Sequence, residues 1–244
     1  MELAAKLNAE FSGINAEACV ADLTKQEELL RVATVLSERA SLQLLINGAG
    51  FGISRPFVEA EMSVHRQMIE LHVLASVTLC RAVLPAMVAH DAGGIINIGS
   101  ASAFTRFPGT AIYTATKMFL VAFTEVLEAE LAKLGARSVR VQALCPGETR
   151  TPFTESETMR GYDASRVPWF MWMTPEALVE LSLGALERKS GTYIPLLRNR
   201  LYCFVFGNRL INRILVVLRK YGVLEAILRM FKKGHWKTAN DATN

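Results

Sequence analysis

Short apolar runs that alternate with helix-like stretches constrain the fold of this chain more than any other feature. There are five such runs: Ala18–Leu23, Leu42–Asn47, Gly94–Gly99, Val139–Leu144 and Thr192–Leu197. Strands separated by helices form βαβ units, which build a parallel sheet covered by helices on both faces. The sequence therefore predicts an α/β fold with a doubly wound parallel sheet. One helix is expected from about Ser63 to Ala89, and Pro85 should end or kink it.

Composition excludes several classes of protein. With 51% hydrophobic and 20% charged residues, the chain of 244 residues is not a disordered, collagen-like or coiled-coil protein. Its four cysteines are far apart, so neither a disulfide framework nor a zinc site is expected, and a reducing compartment such as the cytoplasm is favoured. Charges at Glu2, Lys6 and Glu10 argue against a signal peptide. No run of 18 uncharged apolar residues occurs, so no membrane-spanning helix is expected.

The charge is unevenly distributed and suggests a division into residues 1–197 and residues 198–244. The second segment carries ten Lys and Arg and two acidic residues, whereas the first carries 17 basic and 21 acidic residues. Within the second segment, residues 208–220 and 223–233 place apolar side chains on one helical face and basic side chains opposite. Such helices suit an anionic membrane surface, and packing against the domain or a second subunit is the alternative. No nucleic-acid partner is expected, because the basic charge lies in this tail.

Several polar and small residues follow the predicted strands. Ligands of parallel sheets bind beyond the carboxyl ends of the strands. Asp22, Asn47–Gly50, Gly99–Ser102 and Pro146–Thr151 are thus expected along one rim. Tyr113 and Lys117 are four residues apart on a predicted helix and share a face. A nearby ammonium lowers the pKa of a phenol, which lets tyrosine transfer a proton near neutral pH, although this pair alone is more typical of a solvated helix face.

Taken together, these segments resemble the short-chain dehydrogenases/reductases. The matching pieces are collinear over about residues 1–200: Asp22 in ADLT, Asn47-Gly48-Ala49-Gly50, Ser100 in INIGSAS, Tyr113-Thr-Ala-Thr-Lys117 and Cys145-Pro146-Gly147-Glu-Thr-Arg-Thr151. The resemblance implies a Rossmann-like fold and an NAD(P)-dependent oxidoreductase that interconverts a hydroxyl and a carbonyl group. It implies a homo-oligomer and no metal.

The resemblance also implies roles for single residues. Tyr113 would be the general acid in reduction and the base in oxidation, with Lys117 lowering its pKa and binding the nicotinamide ribose. Ser100 would hold the substrate oxygen. The remaining positions would bind the cofactor: Asp22 at the adenine, Asn47, Gly48, Ala49 and Gly50 along the adenosine half, Pro146 and Gly147 at the nicotinamide, and Thr149 or Thr151 at its carboxamide or the phosphates.

Three departures from the family pattern affect the cofactor and the proton path. No strand and glycine-rich turn precede Asp22, so the 244 residues should bind the dinucleotide weakly, and the segment that distinguishes NADP from NAD cannot be read. NADP is favoured of the two. Gly48 stands where the family usually has Asn. His72 stands where it commonly has an Asn that maintains a relay water, so His72 is either a catalytic relay residue or a hydrogen-bonded core histidine.

Residues Thr154–Met173 correspond to the family's variable lid. Val167–Met173 contains two Trp, one Phe and two Met, which indicates either packing against the core or an apolar, bulky substrate. An alternative function is a non-catalytic module that binds no dinucleotide and acts at a membrane surface or with a protein partner. An epimerase or dehydratase of the extended relatives would need more room for a substrate domain than the chain offers.

Overall fold

The computed structural model describes residues 2–39, 41–105, 107–188, 191–208 and 211. The α-helices in these residues are α1 (Glu2–Glu10), α2 (Gln26–Ser37), α3 (Met62–Ile69), α4 (Ser76–His90), α5 (Ala111–Lys133), α6 (Pro175–Arg188) and α7 (Leu197–Gly207). The strands are β1 (Leu44–Asn47), β2 (Gly94–Ile98), β3 (Arg140–Leu144) and β4 (Gly191–Tyr193). Helix and strand alternate from α2 onward, as the apolar runs predict.

The four strands form one parallel sheet in the order β1-β2-β3-β4. Ile95 in β2 and Val141 in β3 are completely buried in one cluster with Leu79 and Val83 of α4 and Leu131 of α5. On the opposite face, Ile96 and Leu144 pack with Leu186 of α6. Because both faces are covered, the strands read as continuous apolar runs, and the predicted doubly wound sheet is confirmed.

The predicted strand Ala18–Leu23 is not a strand in the structure. A strand needs a neighbour for its backbone groups, and within the described part of the chain β1 is paired only with β2. Side chains instead form hydrogen bonds with the backbone of this segment. The Asp22 N–H donates to the Glu28 carboxylate over 2.8 Å, and the Arg31 guanidinium donates to the Val20 carbonyl over 2.7 Å. Val20 is 76% exposed, so this apolar run does not enter the core.

A continuous helical stretch from Met62 to His90 includes a π-helical segment, Glu70–Ala75, between α3 and α4. The helix ends at His90, close to the predicted end at Ala89, and it continues through Pro85, so the proline does not end it. Pro85 and Arg81 are both exposed, so water can bind the Arg81 carbonyl that proline leaves without a helical donor.

The same stretch, Met62–His90, is long and apolar enough by length and composition to cross a membrane, which the sequence reading did not anticipate. Here it packs as a core helix, because Leu79, Val83 and Met87 are buried in the main cluster.

Helix α7 opens the basic segment and packs against the domain. The Cys203 thiol is buried and lies 3.8 Å from the Ala101 carbonyl oxygen. The predicted amphipathic helices at 208–220 and 223–233 lie outside the described residues, except for Asn208 and Ile211.

Candidate functional site

The carboxyl ends of β2 and β3 meet at one rim and are joined by backbone hydrogen bonds. Ser100 follows β2, and its N–H donates to the thiol of Cys145. The next N–H, that of Ala101, donates to the Pro146 carbonyl over 2.8 Å. The Ser100 hydroxyl oxygen accepts from the Ser102 N–H over 3.1 Å. Two strand ends thus fix the position of the Ser100 side chain.

Helix α5 begins at Ala111 and places Tyr113 in its first turn, where the Tyr113 and Ser100 hydroxyls are hydrogen-bonded. Burial raises the pKa of Tyr113, and the bond to Ser100 opposes that rise; the charges of Glu148 and Cys145 raise it further. The expectation that Lys117 lowers this pKa is therefore not met. The Lys117 ammonium faces the ring, 5.7 Å from its centre, and is bonded elsewhere.

Lys117 lies one helical turn beyond Tyr113 and is 6% exposed. Its Nζ donates to the carbonyl oxygen of Ile98, the last residue of β2, over 2.7 Å. Burial lowers the pKa of Lys117 to about 8, and the nearby Cys145 opposes this effect. The ammonium form therefore still predominates at neutral pH.

His72 lies in the π-helical segment and is hydrogen-bonded through both ring nitrogens. Its Nε2 accepts from the Phe51 N–H over 3.2 Å, so Nδ1 must carry the proton that is shared with Thr116 Oγ1 over 2.9 Å. Thr116 in turn donates to the Tyr113 carbonyl oxygen over 2.9 Å. Burial, with the charge of Lys117, lowers the pKa of His72 to about 3. This geometry is that of a neutral core histidine, one of the two predicted alternatives.

Gly48, Ala49 and Gly50 form an exposed strip after β1. A Cβ atom at position 50 would lie 2.7 Å from Nε2 of His72, so the close approach of this loop to the helix requires glycine. The strip joins the rim to the helix that carries His72, and its uncovered backbone leaves room for a ligand.

Asn47 belongs to a buried polar network beneath the strip. Its Nδ2 donates to Asn97 Oδ1 over 2.8 Å and approaches the Cys80 sulfur at 3.3 Å. Asn97 Nδ2 donates to Thr124 Oγ1 over 2.9 Å, and Thr124 donates to the Leu120 carbonyl over 2.7 Å. The network connects β1, β2 and α5 and so fixes the strand ends relative to the helix that carries Tyr113.

The third part of the rim follows β3. A Cβ atom at position 147 would lie 2.7 Å from Asn199 Nδ2 of α7, so Gly147 allows that helix to approach the rim. Thr149 Oγ1 donates to the Gly147 carbonyl over 3.2 Å, and Thr149 pairs with Met173 in an isolated bridge. In the structure we take the lid to run from Thr151 to Met173, three residues longer than the predicted Thr154–Met173.

The lid packs its first half against the site. The Phe153 ring centre is 6.2 Å from that of Tyr113, and a Cβ atom at position 52 would lie 2.6 Å from Phe153. The Tyr162 hydroxyl donates to the Glu148 carboxylate over 2.6 Å, which ties the middle of the lid to the end of β3. The side of Tyr113 that faces the lid is therefore largely apolar.

The second half of the lid matches the predicted packing against the core only in part. Within Val167–Met173, Met173 is buried, whereas Trp169 is 82% exposed and Phe170 is 49% exposed. The lid therefore neither packs all its aromatic side chains into the core nor turns them all toward Tyr113.

Asp22 forms its hydrogen bonds at the start of α2, and no hydrogen bond within the described part of the chain joins it to the rim. Its carboxylate accepts from the N–H and the hydroxyl of Thr24, over 3.0 and 2.7 Å, and these bonds lower its pKa. The contacts described for Asp22 are with nearby residues, because the segment before it forms no strand.

The sequence interpretation gave no individual role to three residues of the site. Glu148 places a carboxylate near Tyr113, and Cys145 places a thiol beneath Ser100. Both stand next to the Pro146-Gly147 motif, so the motif's neighbours were the available signal. Asn199 lies about 50 residues further along the chain and had no such signal.

The site suits the nicotinamide half of a dinucleotide. An ammonium, a phenol and an alcohol converge at one rim beside two close-packed glycines, Gly50 and Gly147. In the described ranges, no group of three or more His, Cys, Asp or Glu could hold a metal ion. Within those same ranges, no glycine-rich turn joins a strand directly to a helix N-terminus, the usual place for a pyrophosphate.

Comparisons with known proteins agree with this geometry. A family model described as short chain dehydrogenase matches residues 1–160. An uncharacterized oxidoreductase of Staphylococcus saprophyticus is 32% identical over 175 residues, which cover 71% of this chain and 70% of that protein. Three further staphylococcal oxidoreductases are matched over 57% to 64% of their length, so the chain spans less than two thirds of them.

Solved structures extend the likeness over nearly the whole chain. A short-chain dehydrogenase from Sphingobium yanoikuyae in complex with NADPH superimposes with a TM-score of 0.72 at 31% identity, covering 99% of this chain and 85% of that one. A bulky-bulky ketone specific alcohol dehydrogenase from Comamonas testosteroni superimposes with a TM-score of 0.68 at 27% identity, covering 100% of this chain and 81% of that one.

Proposed function

This chain belongs to the short-chain dehydrogenases/reductases, and from that premise we propose that it is an NAD(P)-dependent oxidoreductase that interconverts a hydroxyl and a carbonyl group on a bulky, apolar substrate. The observation that carries the proposal is the convergence of Ser100, Tyr113 and Lys117 at one rim of the sheet. Their order along the chain is the family's, and the Ser100 and Tyr113 hydroxyls are close enough together to bind one substrate oxygen.

In the proposed reaction, Tyr113 donates its proton to the substrate oxygen during reduction and removes it during oxidation. Ser100, held by two strand ends, binds the same oxygen and stabilises the charge that develops on it. The Lys117 ammonium lies 5.7 Å from the centre of the phenol ring, and its hydrogen bond to the Ile98 carbonyl holds it in that place. A raised pKa of Tyr113 keeps the phenol protonated before the reaction, which suits a general acid.

A nicotinamide dinucleotide supplies the hydride when it is bound. Gly147 and Pro146 would line its nicotinamide, Thr149 or Thr151 would bind the carboxamide, and Lys117 would bind the ribose. The exposed strip Gly48–Gly50 would pass beside the adenosine half. NADP is favoured as the cofactor because two structurally similar dehydrogenases were solved with NADPH or NADP.

The substrate is proposed to be apolar and bulky because an aromatic ring of the lid lies beside Tyr113. The Phe153 ring centre is 6.2 Å from that of Tyr113. The ketone specificity in the name of the Comamonas testosteroni enzyme supports the same substrate class.

The enzyme is proposed to work in a reducing cytoplasm, to form a homo-oligomer and to contact a membrane peripherally through the basic segment. All four cysteines are free thiols, which suits a reducing compartment. Phe119 and Val126 are exposed apolar residues on α5, which supports an oligomer contact. The excess of basic residues after Leu197 supports the membrane contact.

The activity is tested with Tyr113→Phe. Reduction of aromatic and lipid-like ketones is measured at saturating NADPH and NADH by loss of the reduced nicotinamide's absorbance. We expect Tyr113→Phe to abolish turnover while the free energy of unfolding changes by no more than about 1 kcal/mol, since only one hydroxyl is removed. The control Tyr193→Phe, which loses a hydroxyl away from Ser100, should stay active.

Two outcomes would contradict the proposal. Turnover of Tyr113→Phe near the wild-type rate would exclude Tyr113 as the proton donor. Inactivity of the wild-type protein with every ketone, at NADPH and NADH concentrations that a binding titration shows to be saturating, would instead favour the non-catalytic module.

A further inference from the structure

Helix α7 exposes an apolar face although it is packed against the domain. Leu197, Leu201 and Phe204 are 78%, 60% and 63% exposed, and their spacing of four and three residues places them on one side of the helix. Asn199 and Cys203, on the other side, are 1% and 4% exposed. The helix therefore has one buried side, which faces the rim, and one apolar side that nothing in the described residues covers.

The exposed turn of the lid adjoins this helix. Trp169 and Phe170 form an edge-to-face pair with ring centres 6.1 Å apart. The Arg198 guanidinium of α7 donates to the Trp172 carbonyl over 3.4 Å and so links the start of the helix to this turn. We call the five exposed side chains Trp169, Phe170, Leu197, Leu201 and Phe204 the aromatic face.

The charge around the aromatic face is basic. Arg198 and Arg200 are exposed on α7, and α7 contains no acidic residue. The segment that begins at Arg198 has ten basic and two acidic residues. Apolar side chains that include a tryptophan, bordered by arginines, match the interface of an anionic bilayer, where tryptophan sits at headgroup level and arginine binds lipid phosphates.

We propose that the aromatic face docks on an anionic phospholipid membrane, so that an apolar substrate reaches Tyr113 from the bilayer by way of the lid. The lid connects the two sites, because Phe153 at its start lies beside Tyr113 and Trp169 near its end belongs to the aromatic face. The substrate route rests on the proposed function. The docking itself does not, because it needs no cofactor.

Docking is tested by sedimenting the full chain, without nicotinamide, with vesicles of mixed phosphatidylcholine and phosphatidylserine or of phosphatidylcholine alone. We expect binding to the mixed vesicles only, weakening as salt rises. The double variant Trp169→Ser/Phe204→Ser should bind about tenfold more weakly or worse, because two apolar side chains no longer leave water. The control Leu134→Ser changes a residue that is 70% exposed at the end of α5 and should bind like the wild type.

A second measurement locates the lid turn in the bilayer. Brominated lipids should quench tryptophan fluorescence in the wild type and markedly less in Trp169→Phe, and circular dichroism verifies that each variant is folded. Equal vesicle binding by the wild type and the double variant would overturn the proposal. The proposal would also be overturned if the double substitution left vesicle binding unchanged and altered only the sedimentation coefficient measured without lipid. That result would assign the aromatic face to a second copy of the chain.

The two proposals fail in different ways. Tyr113→Phe should dock like the wild type and lack turnover. Retained turnover in that variant would refute the catalytic role and leave the docking intact. A wild-type chain that reduces dissolved ketones but does not bind the mixed vesicles would refute the docking alone.

Discussion

At the scale of single residues, the site is built from buried groups held in one protonation state. His72 is the clearest example, because the Phe51 N–H donates to Nε2 and thereby fixes the tautomer that carries its proton on Nδ1. Protonation of Nε2 would remove that acceptor and place a second positive charge near Lys117. The neutral ring links the loop at Phe51 to the helix of Tyr113, and acid should therefore loosen this part of the site.

The free energy of unfolding should depend on pH through His72. The folded pKa is about 3, below the ordinary 6.5, so between these values the unfolded chain binds a proton that the folded chain excludes. The stabilisation is complete above pH 6.5 and is lost as the pH falls toward 3, at about 1.4 kcal/mol per pH unit for one proton.

The variant His72→Asn tests this pH dependence. We expect the variant to be less stable at neutral pH but to lose less stability on acidification, as followed by urea unfolding across that pH range. His90→Asn, which changes an exposed histidine, should keep the wild-type slope. An unchanged slope in His72→Asn would show that His72 does not cause the acid sensitivity.

The sequence could predict that Tyr113, Lys117 and Ser100 lie together, since one helix face and one strand end place them. It could not predict the direction of the Tyr113 pKa. That direction depends on burial and on Glu148, which the fold brings in from the end of β3.

At the scale of elements, buried amides hold the strands and α5 in register. Asn97 is completely buried, and its Nδ2 has Thr124 Oγ1 as acceptor. Replacing Thr124 by Val keeps the shape and removes the acceptor. The variant should lose about 1–3 kcal/mol of unfolding free energy, the usual penalty for an unsatisfied buried donor.

Urea denaturation measures this loss, and Thr124→Ser is the matched control. Because serine keeps the hydroxyl, Thr124→Ser should retain more stability than Thr124→Val, although serine lacks the threonine methyl group that valine keeps. The reverse order would mean that packing of the methyl group, and not the hydrogen bond, holds α5 in place.

Apolar runs predicted four strands because each of those runs enters the sheet, and the two central strands, β2 and β3, are buried on both faces. Ala18–Leu23 is also a short apolar run, but no strand lies beside it in the described ranges. Strand formation depends on a neighbouring strand, which composition does not reveal. The π-helical segment at Glu70–Ala75 was also unpredictable. It fits the contact between His72 and the loop at Gly50, which is a tertiary feature.

At the scale of the whole molecule, the rim holds the groups that are proposed to bind the nicotinamide and few that could bind the phosphates. The 244 residues contain no glycine-rich turn before Asp22. Each charge-assisted hydrogen bond to a pyrophosphate is worth about 1.5–3 kcal/mol, so the lack of two would weaken binding about a hundredfold or more. Titration of these 244 residues with NADPH, followed by fluorescence, should give a dissociation constant well above the micromolar range, and a micromolar value would contradict this expectation.

The contact between Asn199 and Gly147 has a consequence for the whole molecule. One side of α7 touches the rim where the nicotinamide is proposed to bind, and the other side carries most of the aromatic face. A displacement of α7 caused by binding on one of its sides would also move the residues on its other side. Thermodynamic reciprocity then requires that, if docking changes the affinity for the dinucleotide by some factor, the dinucleotide changes the affinity for the membrane by the same factor. Helix α7 would thus couple the binding of the membrane to the binding of the cofactor.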